Sequence, residues 1–436
     1  MKEHIEEAIK TFRKAASRYD LTERYYRGDH NLAFATEKFK STFGSLFREF
    51  SMNLCPAVCD AVRDKMRITG FGSHGAGTRR LEEAADRIWR RNRMTLRAAE
   101  VHKEVLKNGD AYVIVWPDAD GGAAIFPHKA MNCTVVYDDE NPGVIVRAAK
   151  HWRTSDRRTR LNLFYADRIE RFVTERSSEG ALTDAKEFVP FREGGEAHIV
   201  ENAYGLVPVF HFANNADIGA FGRSELDPAI PIQDGLNKSV LDMLVAMEFS
   251  AFRQRWAAGI EIEYNLDGDP IPPFDESVDH LWIAQSENAR FGDFETANLD
   301  QFLKVKDSFR VDMASVTATP LYYLLPHTRG YPSGESIRKS ESRFIAKVRD
   351  RQASFGDVWA DVMTFALRIE GMGEADVMPR WEDPARLSEK EMLENLLLKR
   401  RIGISAEQAL SEAGYGADAD ELLSSESVIR SANRKY

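Results

Sequence analysis

Hydrophobic side chains recur at every third or fourth position along much of the chain, which is the spacing of one helix face. Near the start, Ile5, Ile9, Phe12 and Ala16 follow this spacing. Helices are predicted, in approximate numbers, over 3–20, 56–65, 79–92, 95–107, 228–258, 299–315 and 333–370. The two longest exceed the usual length of a globular helix, so they indicate rods rather than parts of an ordinary domain.

Between these helices, the first half carries short runs of β-branched and aromatic residues that predict strands. Ala111–Trp116 and Ala123–Phe126, separated by a turn at Asp118–Gly122, predict a hairpin. Other strands are predicted over 66–69, 133–137, 144–149, 168–174, 199–201 and 208–212. The part of the chain up to Gly222 is therefore predicted to be a mixed α+β domain.

The second half is organised around the two predicted rods. Asp227 and Pro228 fit an N-cap followed by proline at the first helical position. After Pro231 and Gly235 no helix breaker occurs up to about Ala258, and a helix of about 30 residues is about 45 Å long. The segment that follows is rich in Pro, Gly and Asp and separates this rod from the next helix.

The 333–370 helix carries an apolar face and, in its first half, many basic residues. The basic residues are Arg338, Lys339, Arg343, Lys347, Arg349 and Arg351. Acidic residues alternate with them, which predicts a solvated face. In a ring, the alternative is that this face meets DNA or a neighbouring subunit. Gly356 is a candidate bend within this helix, and Gly403 and Gly414 are candidate stops of the shorter helices that follow.

Composition and charge exclude several classes of protein. The chain has 436 residues, of which 43% are hydrophobic and 29% charged, with a formal net charge of −10. A net negative chain does not coat nucleic acid through a basic surface. Apolar runs such as Leu241–Ala246 are far shorter than the roughly 20 residues that cross a bilayer, and the acidic start Met1–Glu7 predicts no signal peptide. Cys55, Cys59 and Cys133 predict a reducing compartment and no disulfide framework.

The segment Gly70–Gly75 matches the G-x-G-x-x-G pattern of dinucleotide-binding folds. That function needs a strand before the glycines, a helix after them and a ribose-binding acid about 20 residues further on. Here the preceding strand is short, and the basic segment Arg87–Arg97 follows instead. A flexible surface loop is the better interpretation.

Other motifs are also weak. The helix pair predicted over 393–413 has the form of a helix-turn-helix, but its second helix carries two acids and no Arg or Lys. Asp118–Gly121 begins like a calcium loop but has Lys129 where the last ligand should stand. Cys55 and Cys59 have no second pair to complete a zinc site. No catalytic, cofactor-binding or metal-binding residue is predicted, and the chain is not predicted to be an enzyme.

Three stretches together resemble the portal (head-to-tail connector) proteins of tailed bacteriophages, in the branch common among siphophages of actinobacteria. The first runs from Tyr25–His30 to Arg67–Phe71, and the second is Phe221–Leu226. The third is the most specific: Tyr331–Glu341 leads into a segment that ends in Arg351–Trp359. The order of elements is similar over nearly the whole chain.

The resemblance implies an α+β portal fold with a mixed α/β wing, long stem helices, a small α/β clip and a helical crown. In this sequence the implied parts are the wing (1–222), the first stem helix (223–258), the clip (259–298), the second stem helix (299–316), the tunnel loop (317–334), the long wing helix and its return (335–383) and the crown (384–436).

The implied function is structural. Family members form a ring of twelve subunits at one capsid vertex, and double-stranded DNA is packaged and ejected through its channel without sequence specificity. The implied partners are the terminase large subunit, the head-completion or adaptor protein, and the major capsid and scaffold proteins. No membrane or cofactor is implied, and the protein is expected in the virion after assembly in the host cytoplasm.

Candidate site residues follow from the same resemblance. Those of the tunnel loop and DNA channel are Tyr322, Tyr323, His327 and Arg329. Those of the clip, where partners would dock, are Asp267, Asp269, Phe274 and Asp275, and the family motif is Pro332, Ser333, Gly334 and Glu335. A net negative channel with few cations suits a conduit, because tight phosphate contacts from many subunits would stall DNA.

Two other functions stay open at this point. Another structural or adaptor protein of a virion would share the rods but form no hollow ring. An oxidoreductase built on Gly70–Gly75 would be a monomer or small oligomer and would respond to NAD(P).

Overall fold

The computed structural model divides the chain into two units, Met1–Glu382 and Asp383–Tyr436. The residues that it describes are 2–38, 40–42, 52–73, 78–176, 182, 184–195, 197–251, 255–259, 264–265, 288–293, 299–325, 334–373, 376–385 and 389–405.

The first unit is a mixture of helices and mainly antiparallel strands. Its helices are α1 (Lys2–Arg27), α2 (Cys55–Arg63), α3 (Thr78–Arg91), α4 (Met94–Asn108), α5 (Ile230–Ala251), α6 (Asp300–Thr317), α7 (Leu321–Leu324) and α8 (Gly334–Ile369). Its strands are β1 (Ile68–Ser73), β2 (Asp110–Pro117), β3 (Ala123–Lys129), β4 (Cys133–Tyr137), β5 (Ile145–Arg153), β6 (Thr159–Phe164), β7 (Arg168–Thr174), β8 (Phe188–Pro190), β9 (Ile199–Glu201), β10 (Val209–Ala213), β11 (Arg255–Ala258), β12 (Arg290–Asp293) and β13 (Val377–Trp381).

Two antiparallel sheets pack face to face. The larger sheet has the order β4-β5-β6-β7-β8, with β9 also pairing with β7, and the smaller has the order β10-β2-β3. Their shared core is formed by Tyr112, Ile114, Cys133, Val135, Ala148, Phe164, Ile169 and Val209. Because side chains alternate along a strand, the opposite face of the larger sheet is free to pack against α1. The contacts of α1 come from Ile5, Ala8, Ile9 and Phe12.

The long helix α8 packs against the smaller sheet and against β13. Trp359 is fully buried, and its indole N–H donates to Nε2 of His102 at 2.9 Å. Burial lowers the pKa of His102 to about 3, so the ring stays neutral and can accept this bond. Helix α8 continues through Gly356 instead of ending there, and a Cβ at this position would lie 3.3 Å from Nε1 of Trp381. The glycine therefore makes room for β13.

The second unit contains α9 (Glu389–Arg401) in its described part. After the helix, Gly403 has a φ of +98°, and the amide of Ile404 donates to the carbonyl of Lys399 at 3.1 Å. This left-handed residue with a bond back into the last turn is a common helix end. The predicted stop at Gly403 is confirmed, whereas Gly414 lies outside the described residues.

Most of the predicted elements are present. The structure confirms the helices predicted at the start of the chain, around 56–107 and over 299–315 and 333–370. It also confirms the hairpin of β2 and β3, in which the carboxylate of Asp118 accepts bonds from the amides of Asp120 and Gly122. The mixed α+β class is thus correct.

The first predicted rod is shorter than expected. Helix α5 covers Ile230–Ala251, whereas the pattern predicted a helix up to about Ala258. Residues 255–258 instead form β11, which pairs with β12 at 290–293. The sequence has no helix breaker here, so this pairing with a distant segment overrides the local pattern.

The interpretation of Gly70–Gly75 as a flexible loop is wrong for its first part. Gly70 to Ser73 belong to β1, which pairs antiparallel with β13, about three hundred residues later in the chain. A dinucleotide site needs a parallel β-α-β unit, so this two-stranded antiparallel sheet does not support one. His74 and Gly75 lie outside the described residues.

Besides β11, which replaces the end of the predicted rod, four of the described strands were not predicted. They are β6, β8, β12 and β13. Strand β13 contains Pro379, which weakens the sequence signal of a strand but is tolerated in a sheet of two edge strands. Among the described residues, no helix is long and apolar enough to cross a membrane.

Candidate functional site: a buried polar junction

The segment Phe221–Leu226, which joins β10 to the turn before α5, runs through the centre of a buried polar cluster. Gly109 and Gly222 touch each other there: a Cβ on Gly222 would lie 1.9 Å from the carbonyl oxygen of Gly109. Gly109 itself has a φ of +89° at the end of α4. Both positions therefore require glycine, because any side chain would push the two backbone segments apart. We call this cluster the junction.

Asp110 is the buried anion at the centre of the junction. Its Oδ2 accepts from the guanidinium of Arg18 at 2.6 Å and from the hydroxyl of Tyr19 at 2.8 Å. Its Oδ1 accepts from Nε2 of His211 at 2.8 Å and from the amide of Gly222 at 2.7 Å. Four donors on one carboxylate satisfy a charge that would otherwise be very unfavourable in the interior.

The imidazole of His211 extends this network towards the surface. Because Nε2 donates to Asp110, Nδ1 accepts from the hydroxyl of Tyr137 at 2.6 Å. Burial raises the pKa of Tyr137 to about 12, so its hydroxyl remains a donor. The order hydroxyl, imidazole, carboxylate is that of a nucleophilic triad, but the four donors on Asp110 make it a structural anchor here.

Glu225 is the second buried anion, and it connects this segment to α8. Its carboxylate pairs with Nζ of Lys347 at 2.7 Å and with the guanidinium of Arg351 at 3.1 Å. Burial by itself would raise the pKa of Glu225, but Lys347 and Arg351 outweigh it, and the pKa is lowered. Lys347 and Arg351 are one helical turn apart, so both reach the same carboxylate.

The predicted solvated face of α8 is therefore wrong in this part. Lys347 and Arg351 point into the protein and hold Glu225, and Arg343 donates to the carbonyl of Ser315 at 3.0 Å. The alternation of charges along a helix does not reveal which of them meet a buried partner. The side chains of Arg338 and Lys339 lie outside the described residues.

Ser224 links the same segment to α4. Its hydroxyl donates to the carbonyl of Lys107 and accepts from the amide of Leu226 at 2.9 Å. The ammonium of Lys107 is itself buried between Glu104, at 3.0 Å, and Glu23. The turn before α5 is thus held by side chains rather than by the Asp227 N-cap that the sequence predicted.

Helix α1 and the loop after it bind the first turns of α5. The hydroxyl of Tyr25 donates to Asp234 at 2.6 Å, and the amide of Asn237 bonds to Nδ1 of His30 at 2.8 Å. Gln233 donates to the carbonyl of Met52 at 2.7 Å. Parts of the three stretches, which are far apart in the chain, therefore meet around the base of α5. They are Tyr25 and His30 of the first, Glu225 of the second and Arg351 of the third.

A cavity of about 440 Å³ opens beside the junction. Its polar lining includes Tyr137, His211, Asp217, Asp350 and Arg351. The carboxylate of Asp350 is paired with Arg351 at 2.5 Å, and that of Asp217 is paired with Arg223. Within the described residues, no group of three His, Cys, Asp or Glu side chains is arranged to hold a metal ion.

A family model described as "Phage portal protein, SPP1 Gp6-like" matches residues 73–424, which is most of the chain. The chain belongs to the phage portal protein family. Two curated relatives are the portal proteins of Mycobacterium phages L5 and D29, each 28% identical over 204 and 193 residues respectively. These matches cover 44% and 42% of this chain, and 42% and 39% of the relatives, so each spans less than half of the relative's length.

Two solved structures are also similar to this portal chain. One is in the neck of an empty gene transfer agent particle computed with C6 symmetry (TM-score 0.49, 13% identity, covering 88% of this chain and 95% of that one). The other is in the virion of a native gene transfer agent particle (TM-score 0.45, 11% identity, covering 88% and 94%). Neither TM-score reaches 0.5.

Portal proteins are structural rather than enzymatic, which agrees with the sequence analysis. The resemblance drawn from the three stretches is confirmed by the family match. What sequence reasoning missed is the set of buried charges that joins those stretches. The segment Phe221–Leu226 was singled out, but nothing in it indicated that Glu225 would meet α8 or that Gly222 would bind Asp110.

The predicted site residues of this portal chain have different outcomes. Tyr322 and Tyr323 are half-buried, and their rings contact each other in a tilted arrangement with centroids 4.7 Å apart. The hydroxyl of Tyr322 donates to Glu341 of α8. Gly334 opens α8, and Glu335 lies in its first turn. The others lie outside the described residues: His327, Arg329, Pro332, Ser333, Asp267, Asp269, Phe274 and Asp275.

Proposed function

We propose that this chain is the subunit of a ring at one capsid vertex and that double-stranded DNA enters and leaves the capsid through the ring. The observation that carries the proposal is the family match over residues 73–424. The names of the two phage relatives support it. The channel and its DNA are proposals for this chain, because the relatives are matched over less than half of their length.

The helix pair formed by α5 and α6 gives physical support to a ring. Phe309 of α6 packs so closely on Gly235 of α5 that a Cβ there would lie 2.9 Å from its ring. Met313 of the same helix is fully buried. This close packing defines the face of α6 that one chain covers by itself.

Hydrophobic residues lie on both sides of that face. Leu303 and Val311 fall on one side, which we call the first flank, and Val305 and Val316 fall on the other, the second flank. All four are between 44% and 48% exposed. A subunit with one neighbour on each side would cover both flanks, and a head-to-tail contact that closes gives a ring.

We assign the parts of the portal fold as the resemblance implies. The first 222 residues would form the wing, α5 and α6 the stem, 259–298 the clip, and 384–436 the crown. Asp267, Asp269, Phe274 and Asp275 would dock the terminase large subunit during packaging and the head-completion protein afterwards. The major capsid and scaffold proteins would surround the wing and direct its assembly in the host cytoplasm.

The tunnel loop would leave the helices at Tyr322 and Tyr323 and return at the family motif, Pro332–Glu335. The contact of Tyr322 with Glu341 supports an anchoring role for the two tyrosines rather than a position in the bore. His327 and Arg329 would then be the groups closest to DNA. The net charge of −10 per chain would keep the DNA from binding tightly.

The decisive experiment is native mass measurement combined with negative-stain imaging of the purified protein. We expect a hollow ring with about twelve times the 49.4 kDa mass of one chain. If the isolated protein is a monomer, the same measurement is made after co-expression with the capsid and scaffold genes. A monomer or small oligomer under those conditions would contradict the proposal.

The tunnel loop can be tested separately by deleting His327–Tyr331. We expect the ring to assemble but DNA packaging to be impaired, because the deletion leaves the stem flanks and the junction unchanged. The readouts are the ring fraction by imaging and the mass of packaged DNA per particle. Normal filling with DNA would remove the proposed role of this loop and leave the ring proposal intact.

A further inference from the structure

The larger sheet carries opposite charges at its two ends. The turn between β4 and β5 contains Asp138, Asp139 and Glu140, and the carboxylates of Asp139 and Glu140 are exposed. We call this turn the acidic tip. The carboxylate of Asp138 is hydrogen-bonded within the turn, because its Oδ1 accepts from the backbone amides of Glu140 and Asn141 at 2.8 and 2.9 Å. The tip is therefore held in shape while two carboxylates point to solvent.

A half-buried basic surface lies at the other end of the same hairpin. We call it the basic face and define it by Lys150 and Trp152 of β5, Arg160 of β6, His128 of β3 and Arg97 of α4. Lys150 pairs in the sheet with Cys133, about six residues before the acidic tip. At about 3.3 Å per residue, the two surfaces are about 20 Å apart.

Cations and aromatic rings alternate on the basic face. Nζ of Lys150 lies 4.7 Å from the centroid of Trp152, and the guanidinium of Arg160 lies 3.5 Å from the ring of Phe191. The side chains of Phe126 and Met131, in and just after the neighbouring strand β3, remain 42% and 40% exposed. Tryptophan, arginine, methionine and other aromatic residues are the types enriched at the centres of protein interfaces.

The charges of the basic face are crowded within one chain. Burial lowers the pKa of Lys150, and the group that acts against this is the thiol of Cys133, not a carboxylate. Burial, together with Lys150 and Arg97, lowers the pKa of His128 to about 3. Arg158 and Arg160 both act to lower the pKa of Glu193, and Arg158 pairs with it at 2.6 Å. An incoming carboxylate would relieve this crowding.

We propose that the acidic tip of one copy of this chain docks on the basic face of the next copy. The two surfaces differ and lie at opposite ends of one hairpin, so the contact is head-to-tail and repeats around a closed ring. A protein occupant is favoured over DNA because the ammonium of Lys150 is half-buried beside Trp152. A side chain on an exposed turn can reach it, whereas the backbone of a rigid duplex favours exposed cations. This contact rests on the ring proposed above.

The test is a charge swap. Lys150→Glu alone and the pair Asp139→Lys with Glu140→Lys alone should each lower the ring fraction about tenfold or more, because like charges then face each other. All three changes in one chain should restore the ring, since every contact then has the reversed charge pair. Lys10→Glu, an exposed change on α1, is the control and should leave the ring fraction unchanged.

The outcomes separate this contact from the ring itself. If the unmodified protein forms rings and Lys150→Glu forms them equally well, the contact is wrong and the ring proposal stands. Failure of the swap to restore rings would exclude the acidic tip as the occupant. If circular dichroism shows that Lys150→Glu does not fold, Lys150→Gln replaces it and is expected to lower the ring fraction in the same direction.

A variant that assembles normally but no longer binds a 30-base-pair duplex would assign the basic face to DNA and overturn the proposal. No ring from the unmodified protein, even with capsid and scaffold proteins, would overturn both.

Discussion

The junction at the base of α5 and the α5–α6 helix pair beyond it are stabilised in opposite ways. At the base of α5, the charges of Asp110 and Glu225 are buried, and each is satisfied by partners within one chain. Further along the helix pair, Val305 and Val311 of α6 in the same chain stay nearly half exposed. One end is complete in a single subunit, and the other offers surfaces that a neighbour can cover.

The difference follows from the two kinds of interaction. A buried charge without a partner is so unfavourable that its partners must be in place when the chain folds. Hydrophobic contact is not directional, and an exposed valine in water is tolerated until another surface covers it. A folded monomer with a fixed base and incomplete rods is thus a natural precursor of a ring.

The largest expected effect comes from placing a charge on either flank of α6. Val311→Glu on the first flank and Val305→Glu on the second should each leave a folded monomer that forms no ring, because the glutamate would be buried unpaired at the contact. Ser308→Glu, on the outer side between them, is the matched control and should assemble normally. Native mass and circular dichroism measure assembly and folding.

Mixing the two flank variants sharpens this prediction. Each variant keeps one intact flank, and the intact flanks differ, so a mixture should give a dimer of one chain of each kind but no ring. A two-fold contact, in which both subunits use the same flank, would instead let one variant dimerise with itself. That result would contradict the head-to-tail arrangement.

The next largest effect is expected at Asp110. Replacing it by Asn removes the charge that Arg18 and His211 face, and breaking a buried ion pair in this way costs about 3–5 kcal/mol. The free energy of unfolding, from denaturant titration of the monomeric Val311→Glu background, measures the loss. Asp120→Asn, on an exposed turn, is the control and should change the free energy by less than about 0.5 kcal/mol. Equal losses in the two variants would mean that Asp110 does not anchor the junction.

A smaller loss is expected from Gly222→Ala. The added methyl group would overlap the carbonyl of Gly109, which is 1.9 Å from the Cβ position, and overpacking of this kind costs about 1–3 kcal/mol. Gly70→Ala is the matched control, because its nearest atom, on Asp86, is 3.6 Å away in ordinary contact. If both variants are equally stable, the two backbone segments do not touch as described.

Local patterns predicted most of the elements but not the contacts between them. The spacing of Ile5, Ile9 and Phe12 predicted α1, and the apolar face of the long helix predicted α8. Both helices bury one face, and this burial leaves a periodic record in the sequence. The mixed α+β class follows from such local signals.

Several of the errors involve partners far away in the chain, although β6 and β8 were missed despite pairing with nearby strands. Residues 255–258 pair with 290–293, and Gly70–Ser73 pair with β13, so neither strand is visible in its own neighbourhood. The pairing of Glu225 with Arg351 joins residues 126 positions apart. Helical spacing places Arg351 on a helix, but it carries no information about the carboxylate that meets it. The roles of His327, Arg329 and the clip residues stay predictions.

The smallest expected effect is a change in the pH dependence of stability. The pKa of Glu225 is lowered in the folded chain from its ordinary value of 4.5, because Lys347 and Arg351 outweigh the burial that would raise it. A lowered pKa means that the folded state binds the proton less readily than the unfolded state.

The stabilisation by Glu225 is therefore fully present above about pH 4.5 and is lost as the pH falls through the pKa that Glu225 has in the folded chain. The Glu225→Gln variant has no carboxylate at this position and so has no such stabilisation to lose. The free energy of unfolding of this variant should therefore fall less between pH 6 and pH 3 than that of the unmodified chain. Asp350→Asn, which removes an exposed carboxylate beside the same Arg351, should keep the unmodified slope. Parallel curves for all three proteins would mean that the ion pair at the base of α5 does not hold the negative charge of Glu225 in place.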